Sequence, residues 1–251
     1  MKYTLTFLIC LFWIFTFSFA QTAKEDVDNY PAYLVHVDYG YQIPSGDLAD
    51  RFGNNSNIGA GLLYKTKNNW LFGADGYFMF GTDIKENFSS NLLTTGGFVL
   101  GTNGLYAELN SREQGFCFMG KIGKLFSMSP VNPNTGFTVL LGAGYLQHKI
   151  QIEDRNNAVP QFQDEYRKGY DRLTSGLAFS QFIGYTHLSL NRRINFYIGI
   201  EAIQAFTQGR RSTNFNNQTN GTGSRTDILF GPKVGWILPI YREPTDKFHT
   251  D

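Results

Sequence analysis

Tyr33-Leu34-Val35-His36-Val37-Asp38-Tyr39-Gly40-Tyr41 is the stretch on which the reading of the fold turns. Its odd positions are apolar and aromatic, and its even positions, Leu34, His36, Asp38 and Gly40, are mostly polar or small. A period of two with unlike faces belongs to a β-strand. The alternation recurs downstream. Ile58, Ala60, Leu62 and Tyr64 oppose Asn57, Gly59 and Gly61, and Trp70, Phe72, Ala74, Gly76, Phe78 and Phe80 oppose Gly73, Asp75 and Tyr77. The 23 Phe, 14 Tyr and 27 Gly among 251 residues are therefore explained as aromatic strand faces set against small ones.

Further strands are expected at Gly115 to Phe126, with Phe116, Phe118, Ile122 and Phe126 on one face, and at Phe137 to Ile152, with Phe137, Val139, Leu141, Ala143 and Tyr145. Thr174 to Leu190 is read with Phe182, Leu188 and Leu190 on the apolar face and Gln181, Tyr185, His187 and Ser189 on the polar one. Ile194 to Ala205 sets Phe196, Ile198 and Ile200 against Asn195, Tyr197 and Glu201. The last strand, Asp227 to Tyr241, contains Pro232 and Pro239, which lack a ladder donor and so predict a bulge or a strand end.

Met1 to Ala20 carries Lys2, an apolar run from Leu5 to Phe19, and Ser18-Phe19-Ala20 before Gln21. This is the form of a secretory signal peptide cleaved after Ala20. Cleavage removes Cys10 and leaves Cys117 as a single thiol, so no internal disulfide is available to the exported chain. The charge balance of 22 Lys+Arg against 21 Asp+Glu gives no basic excess for phosphate backbones, which argues against nucleic acid as a partner.

Lys65 to Asn69 and Asn191 to Arg193 are tight turns, whereas Ile43 to Asn57, Glu153 to Leu173 and Gln208 to Arg225 are long and polar. Short turns on one side and long loops on the other describe a transmembrane antiparallel β-barrel with periplasmic termini and an even strand count. If Thr102-Asn103-Gly104 is a hairpin turn joining Leu92 to Gly101 with Leu105 to Asn110, the barrel has ten strands; if Thr82 to Gln114 is one external loop, it has eight. The Asn-Gly signal favours ten. The expected division is a signal peptide at 1–20, a periplasmic segment at 21–31, the all-β barrel at 32–241 and a tail at 242–251. A soluble barrel of lipocalin type would alternate similarly, but aromatic surface on every strand would aggregate in water and instead fits lipid.

His36, Asp38, Asp75, Lys121, His148, His187 and Glu201 are read on the inward phase, where opposite charges neutralise one another in a narrow lumen. They lack the close multi-His or Cys spacing of a metal site, and neither a metal nor another cofactor is expected. Gly115 to Lys121 matches a phosphate-loop spacing but is followed by Ile122 and alternates as a strand. Among the loops, Ser45 to Gly53 predicts a short helix capped by Ser45 or Asp47, with Leu48 and Phe52 on one side. Asp47 and Arg51 there, with Tyr166 and Tyr170 in the charged 153–172 loop, are candidate binding residues.

His187-Leu188-Ser189, with Glu201 twelve residues after the serine, resembles the His-x-Ser…Glu spacing of PagL-like lipid A deacylases. That resemblance implies Ser189 as nucleophile, His187 as base and Glu201 as its orienting group. With a three-residue turn, however, His187 faces Tyr197 and Glu201 lies about 13 Å further along. The segments Val37-Asp-Tyr-Gly-Tyr-Gln-Ile-Pro44 and Lys233-Val-Gly-Trp-Ile-Leu-Pro-Ile240 resemble small outer-membrane barrels of Bacteroidota. That resemblance implies outer-membrane lipid and envelope proteins as partners. It also implies an accessory role in a machine such as type IX secretion or outer-membrane assembly. A ligand-binding or narrow transport barrel is the third reading.

Overall fold

The computed structural model describes residues 29–163, 165–189, 193–216 and 218–241. The expected signal peptide, the tail from 242, Leu190 and residues 191–192 of the expected turn lie outside them. Eight strands form the wall: β1 Ala32–Gly46, β2 Asn55–Lys65, β3 Trp70–Gly81, β4 Leu109–Ser127, β5 Thr135–Asp154, β6 Thr174–Leu188, β7 Asn195–Gly209 and β8 Ser224–Tyr241. Each pairs antiparallel with its sequence neighbour, and β1 closes the barrel on β8 from Ala32↔Tyr241 to Gly46↔Asp227.

The count is eight, not ten. β3 and β4 pair directly from Trp70↔Lys124 to Gly81↔Glu113, which leaves no edge for an inserted hairpin. Thr102-Asn103-Gly104 does turn the chain: the Gly104 N–H donates to the Gly101 carbonyl at 3.0 Å, and Gly104 takes φ +76°, which glycine tolerates. The turn serves only the isolated bridge Leu100↔Tyr106, and a second turn at Thr94 to Gly97 serves Leu93↔Val99. Interrupted this way, neither run provides the ~9–11 residues of a spanning strand.

Pro239 lies near the end of β8, but Pro232 stands within it opposite Ile200. No residue is inserted there, because the register to β1 is the same at Gly40↔Lys233 and Ile43↔Phe230. The missing donor interrupts the β1–β8 ladder between those pairs without the expected bulge.

The aromatic faces read on β1 to β5 and β7 point outward. On β6 the phase is the reverse of the expectation. Leu177, Phe179, Ile183 and Tyr185 face out, and Phe182 and Leu188 are buried inside. Both parities of this strand carry large apolar residues, so alternation alone does not choose between them. Space decides: a Cβ on Gly184 or Gly199 would come within 2.6 and 2.7 Å of the Phe182 ring, so the ring occupies lumen that these two glycines leave free.

Around the wall, aromatics gather near both strand ends. Tyr33, Trp70, Phe137 and Tyr185 lie toward the turn end, and Tyr41, Phe78, Phe116 and Phe206 lie toward the loop end. Val37, Leu62, Ile122, Leu141 and Ile200 lie between them, and all of these side chains are exposed. Tyr33 to Tyr41 spans about 26 Å along the strand at ~3.3 Å per residue. A continuous exposed apolar surface with aromatics gathered toward both strand ends, on a barrel with no free edge, is the surface of a transmembrane β-barrel. No helix among the described residues is long and apolar enough to cross a membrane.

The interior is filled in layers. Leu34, Leu63, Leu71, Leu125, Phe182 and Ile237 pack at the turn end. Met79, Met119, Leu146, Ile150, Ile203 and Leu229 pack toward the loop end. There the short helix α1, Asp47–Arg51, inserts Leu48 and Phe52, both fully buried. Gly46, at φ +63°, takes the position before this helix, and no side chain caps it. Asp47 is unavailable as a cap because its carboxylate accepts the Thr226 backbone N–H at 2.6 Å.

Candidate functional site

Between the two apolar layers lies a belt of charge. β4 supplies Lys121, whose Nζ is 2.7 Å from Asp75 on β3 and 2.8 Å from Glu201 on β7. β8 supplies Lys233, 3.0 Å from the other Glu201 oxygen and 3.3 Å from Asp38 on β1. The Tyr197 hydroxyl donates to Asp38 at 3.0 Å, and His36 stands 3.7 Å from the same carboxylate. The Tyr197 ring lies over Gly235, where a Cβ would approach it to 2.3 Å. The carboxylates, lysines and His36 of this belt are buried, so each charge depends on its partners for the solvation it has lost.

His36, Asp38, Asp75, Lys121 and Glu201 are thus brought together. Lys233 and Tyr197 complete the belt and were absent from the expected network. Parity gave the signal for Lys233, a lysine on the same face of β8 as Asp227 and Leu229. One ligand atom each from His36, Asp38 and Asp75 lie within 4.8 Å of one another, a spacing that a cation could use. The two carboxylates already face the ammonium groups of Lys233 and Lys121, which oppose a further positive charge. A cavity of about 30 Å³ adjoins the belt, lined in part by His36, Asp75, Lys121 and Lys233. It is of the size of a single water.

His148 sits elsewhere, 2.9 Å from Asp227, which also accepts from Thr207 at 2.5 Å; Phe52 packs edge-on against the imidazole. His187 is not in the lumen. It lies on the outward phase of β6, with Nδ1 3.2 Å from the Thr135 hydroxyl and its ring against Phe196.

The Ser189, His187 and Glu201 set is therefore not assembled. Leu188 pairs with Asn195, His187 with Phe196 and Phe182 with Glu201, one residue off the expected register. Glu201 points into the lumen and is held by two lysines, while His187 is on the opposite face of the sheet. The Ser189 backbone N–H donates to Asn195 at 2.9 Å, an arrangement that ends the strand. A base separated from its orienting carboxylate by the barrel wall cannot have its tautomer fixed by it.

At the loop end, Arg51 Nε and Arg172 Nε grip the two oxygens of Glu86 at 2.7 and 2.5 Å. Arg51 Nη1 also donates to Thr174 at 2.9 Å. Burial by itself would raise the Glu86 pKa, but the Arg51 and Arg172 guanidiniums more than offset it and hold this carboxyl below its ordinary value. Arg211 holds Asp171 through Nε and Nη2. Of the loop candidates, Asp47 and Arg51 are engaged in these closures, and Tyr170 is 3% exposed between Phe162 and Phe215. Tyr166, at 67%, is open to solvent. Arg172, Arg211 and Arg225 carry no local signal, because the loops that bring them together are distant in sequence.

Comparison with protein-family models and with curated proteins gives no match. Among solved structures, the chain is similar to Ail, the attachment invasion locus protein of Yersinia pestis. In the complex of Ail with the heparin analogue sucrose octasulfate, identity is 13% over 83% of this chain and 99% of that one, with a TM-score of 0.38. Ail without that compound gives 12% and 0.39 over the same shares. Neisserial surface protein A gives 10% identity over 81% of this chain and 96% of that one, with a TM-score of 0.40.

Proposed function

We propose that this chain is a non-enzymatic outer-membrane β-barrel that serves as a structural or accessory subunit of an envelope complex for secretion or outer-membrane assembly. The observation that carries the reading is the contrast between a filled lumen and an apolar loop surface. The charged belt lies between two apolar layers and the cavity adjoining it is of the size of a single water, which supports an anchor over a conduit. Outside the wall, Phe98, Leu100, Leu105 and Tyr106 are all more than half exposed, on a segment ordered by turns and tied to the β5–β6 connection through Thr102 N–H and the Ala158 carbonyl. Ordered apolar surface beyond the girdles is the kind of surface that a protein partner covers.

Isolation of the native assembly from outer membranes in mild detergent tests this. Envelope proteins should co-purify with the wild type and be lost with Phe98→Ser combined with Tyr106→Ser, while the barrel still migrates as folded when unheated. Recovery of the wild-type chain alone would count against the reading, as would recovery as a soluble periplasmic monomer.

A further inference from the structure

A second cluster of charge differs from the belt in being open and in having more cations than anions. Where β6, β7 and β8 meet their loops, a cleft of about 190 Å³ is lined by Arg51, Arg172, Arg211 and Arg225, with Thr174 and Ser224 beside them. Among the described residues, no acidic side chain lines it. The directly bonded carboxylates are Glu86, shared by Arg51 and Arg172, and Asp171, held by Arg211. Arg225 donates from Nη2 to the Asp47 backbone carbonyl and stands 3.6 Å from Asp227, which His148 and Thr207 already bond.

One guanidinium atom is left over. Arg172, 4% exposed, has Nη1 buried without a hydrogen-bond partner, whereas Arg225 Nε makes no hydrogen bond but stands 3.6 Å from Asp227 Oδ1. A buried cationic donor without an acceptor is costly, and a bound anion would remove that cost. The rim is open: Gly223 and Ser224 are exposed, and a Cβ at Gly223 would meet nothing within 4 Å.

A neighbouring hollow shares Ser224 and Arg225 with the cleft and extends over the outside of the wall. It adds Arg210, which donates to the hydroxyl and carbonyl of Ser175, Asp47, whose carboxylate accepts the Thr226 backbone N–H, and the outward apolar side chains Leu177 and Phe206. Cationic forks above an apolar girdle are arranged to receive a head group whose hydrocarbon lies along the wall.

We infer that this arginine cleft binds a phosphate group. Planar guanidiniums match the oxygens of a tetrahedral phosphate, which a tight lysine pair would not do as well. The same chemistry is offered by a phosphorylated glycolipid in the surrounding leaflet and by soluble inorganic phosphate, and the two sources are separable. The inference is independent of the accessory-subunit reading.

The test uses the full mature chain in detergent micelles, checked for folding by unheated mobility. Inorganic phosphate is titrated by calorimetry. In parallel, diphosphoryl lipid A and the same lipid after phosphatase treatment are compared by native mass spectrometry. Binding of at least one phosphate probe, weakened about tenfold by Arg225→Gln through loss of a charge-assisted contact, is the expected result. Preference for diphosphoryl over dephosphorylated lipid assigns the group to a head group, and binding of inorganic phosphate alone assigns it to a soluble anion. If Arg225→Gln fails to fold, Arg225→Lys, which keeps the charge without the planar fork, should bind more weakly than wild type. Failure of every phosphate probe to bind would overturn the inference, as would equal retention of both lipids with no effect of the variant.

Discussion

The central belt and the loop-end mouth use the same groups to opposite effect. In the belt, two lysines lie among three carboxylates, Asp38, Asp75 and Glu201, beside His36, and the apolar layers above and below exclude bulk water. At the mouth, four arginines share fewer acids, a buried donor atom of Arg172 has no hydrogen-bond partner, and solvent reaches the rim. The lesson is that enclosure and stoichiometry, more than residue type, separate a charge cluster that holds a barrel together from one that is free to bind. In a dry lumen each partner lost leaves an uncompensated ion, whereas at the mouth water can replace it.

The largest break in this comparison should come from Glu201→Ala. It removes the carboxylate that joins Lys121 to Lys233 and should lower stability by about 3–5 kcal/mol, read from urea unfolding in detergent. Little change would mean that water reaches the belt. Next in size, Ile183→Arg tests the corrected phase of β6. Placed on the lipid side near the belt's level, it should cost roughly 2–4 kcal/mol if it lies near the midplane. Tolerance there, with intolerance at Thr186, would restore the phase expected from sequence.

How far the sequence reached is clearest on β1 and β6. From Tyr33 to Tyr41 on β1 the even positions hold His36 and Asp38 and the odd ones only Tyr and Val, so parity assigns the faces without ambiguity. On β6, Phe182 and Leu188 on one parity compete with Phe179, Ile183 and Tyr185 on the other. The choice rests on room left by Gly184 and Gly199, on its own strand and on the next. That error moved His187 into the lumen and made the deacylase set look coplanar. Strand number failed for a related reason: Asn103-Gly104 is a true turn signal, but a turn shows only that the chain reverses and not that the flanking runs reach across a membrane. The belt was partly legible by parity, whereas the mouth was not, because its arginines come from four separate connections and strand ends.

Acid sharpens the mouth side of the comparison. Glu86 has a depressed folded pKa, so its contribution is present above the unfolded carboxylate value near 4.5 and is lost as pH falls through the lower folded value. Hydrogen-exchange protection in the 82–90 and 171–174 segments, corrected for the intrinsic pH dependence of amide exchange, should be unchanged from pH 7 to 5, should fall below about 4.5, and should lose that acid step in Glu86→Gln. The smallest effect is expected from Ser189→Ala. Its backbone N–H bond to Asn195 is retained, so any loss should stay near or below ~1 kcal/mol, with the lipid A acylation pattern of the cells unchanged. An acyl chain retained only in the mutant would revive the enzyme.

The filled lumen is tested most directly by single-channel recording of the purified wild-type barrel in a planar bilayer across moderate voltages. The layered interior predicts no steady conductance, because the belt is bonded across β1, β3, β4, β7 and β8 and the adjoining cavity holds about one water. A stable, ohmic open state of the wild-type protein would contradict this, since ions would then be passing through the bonded belt.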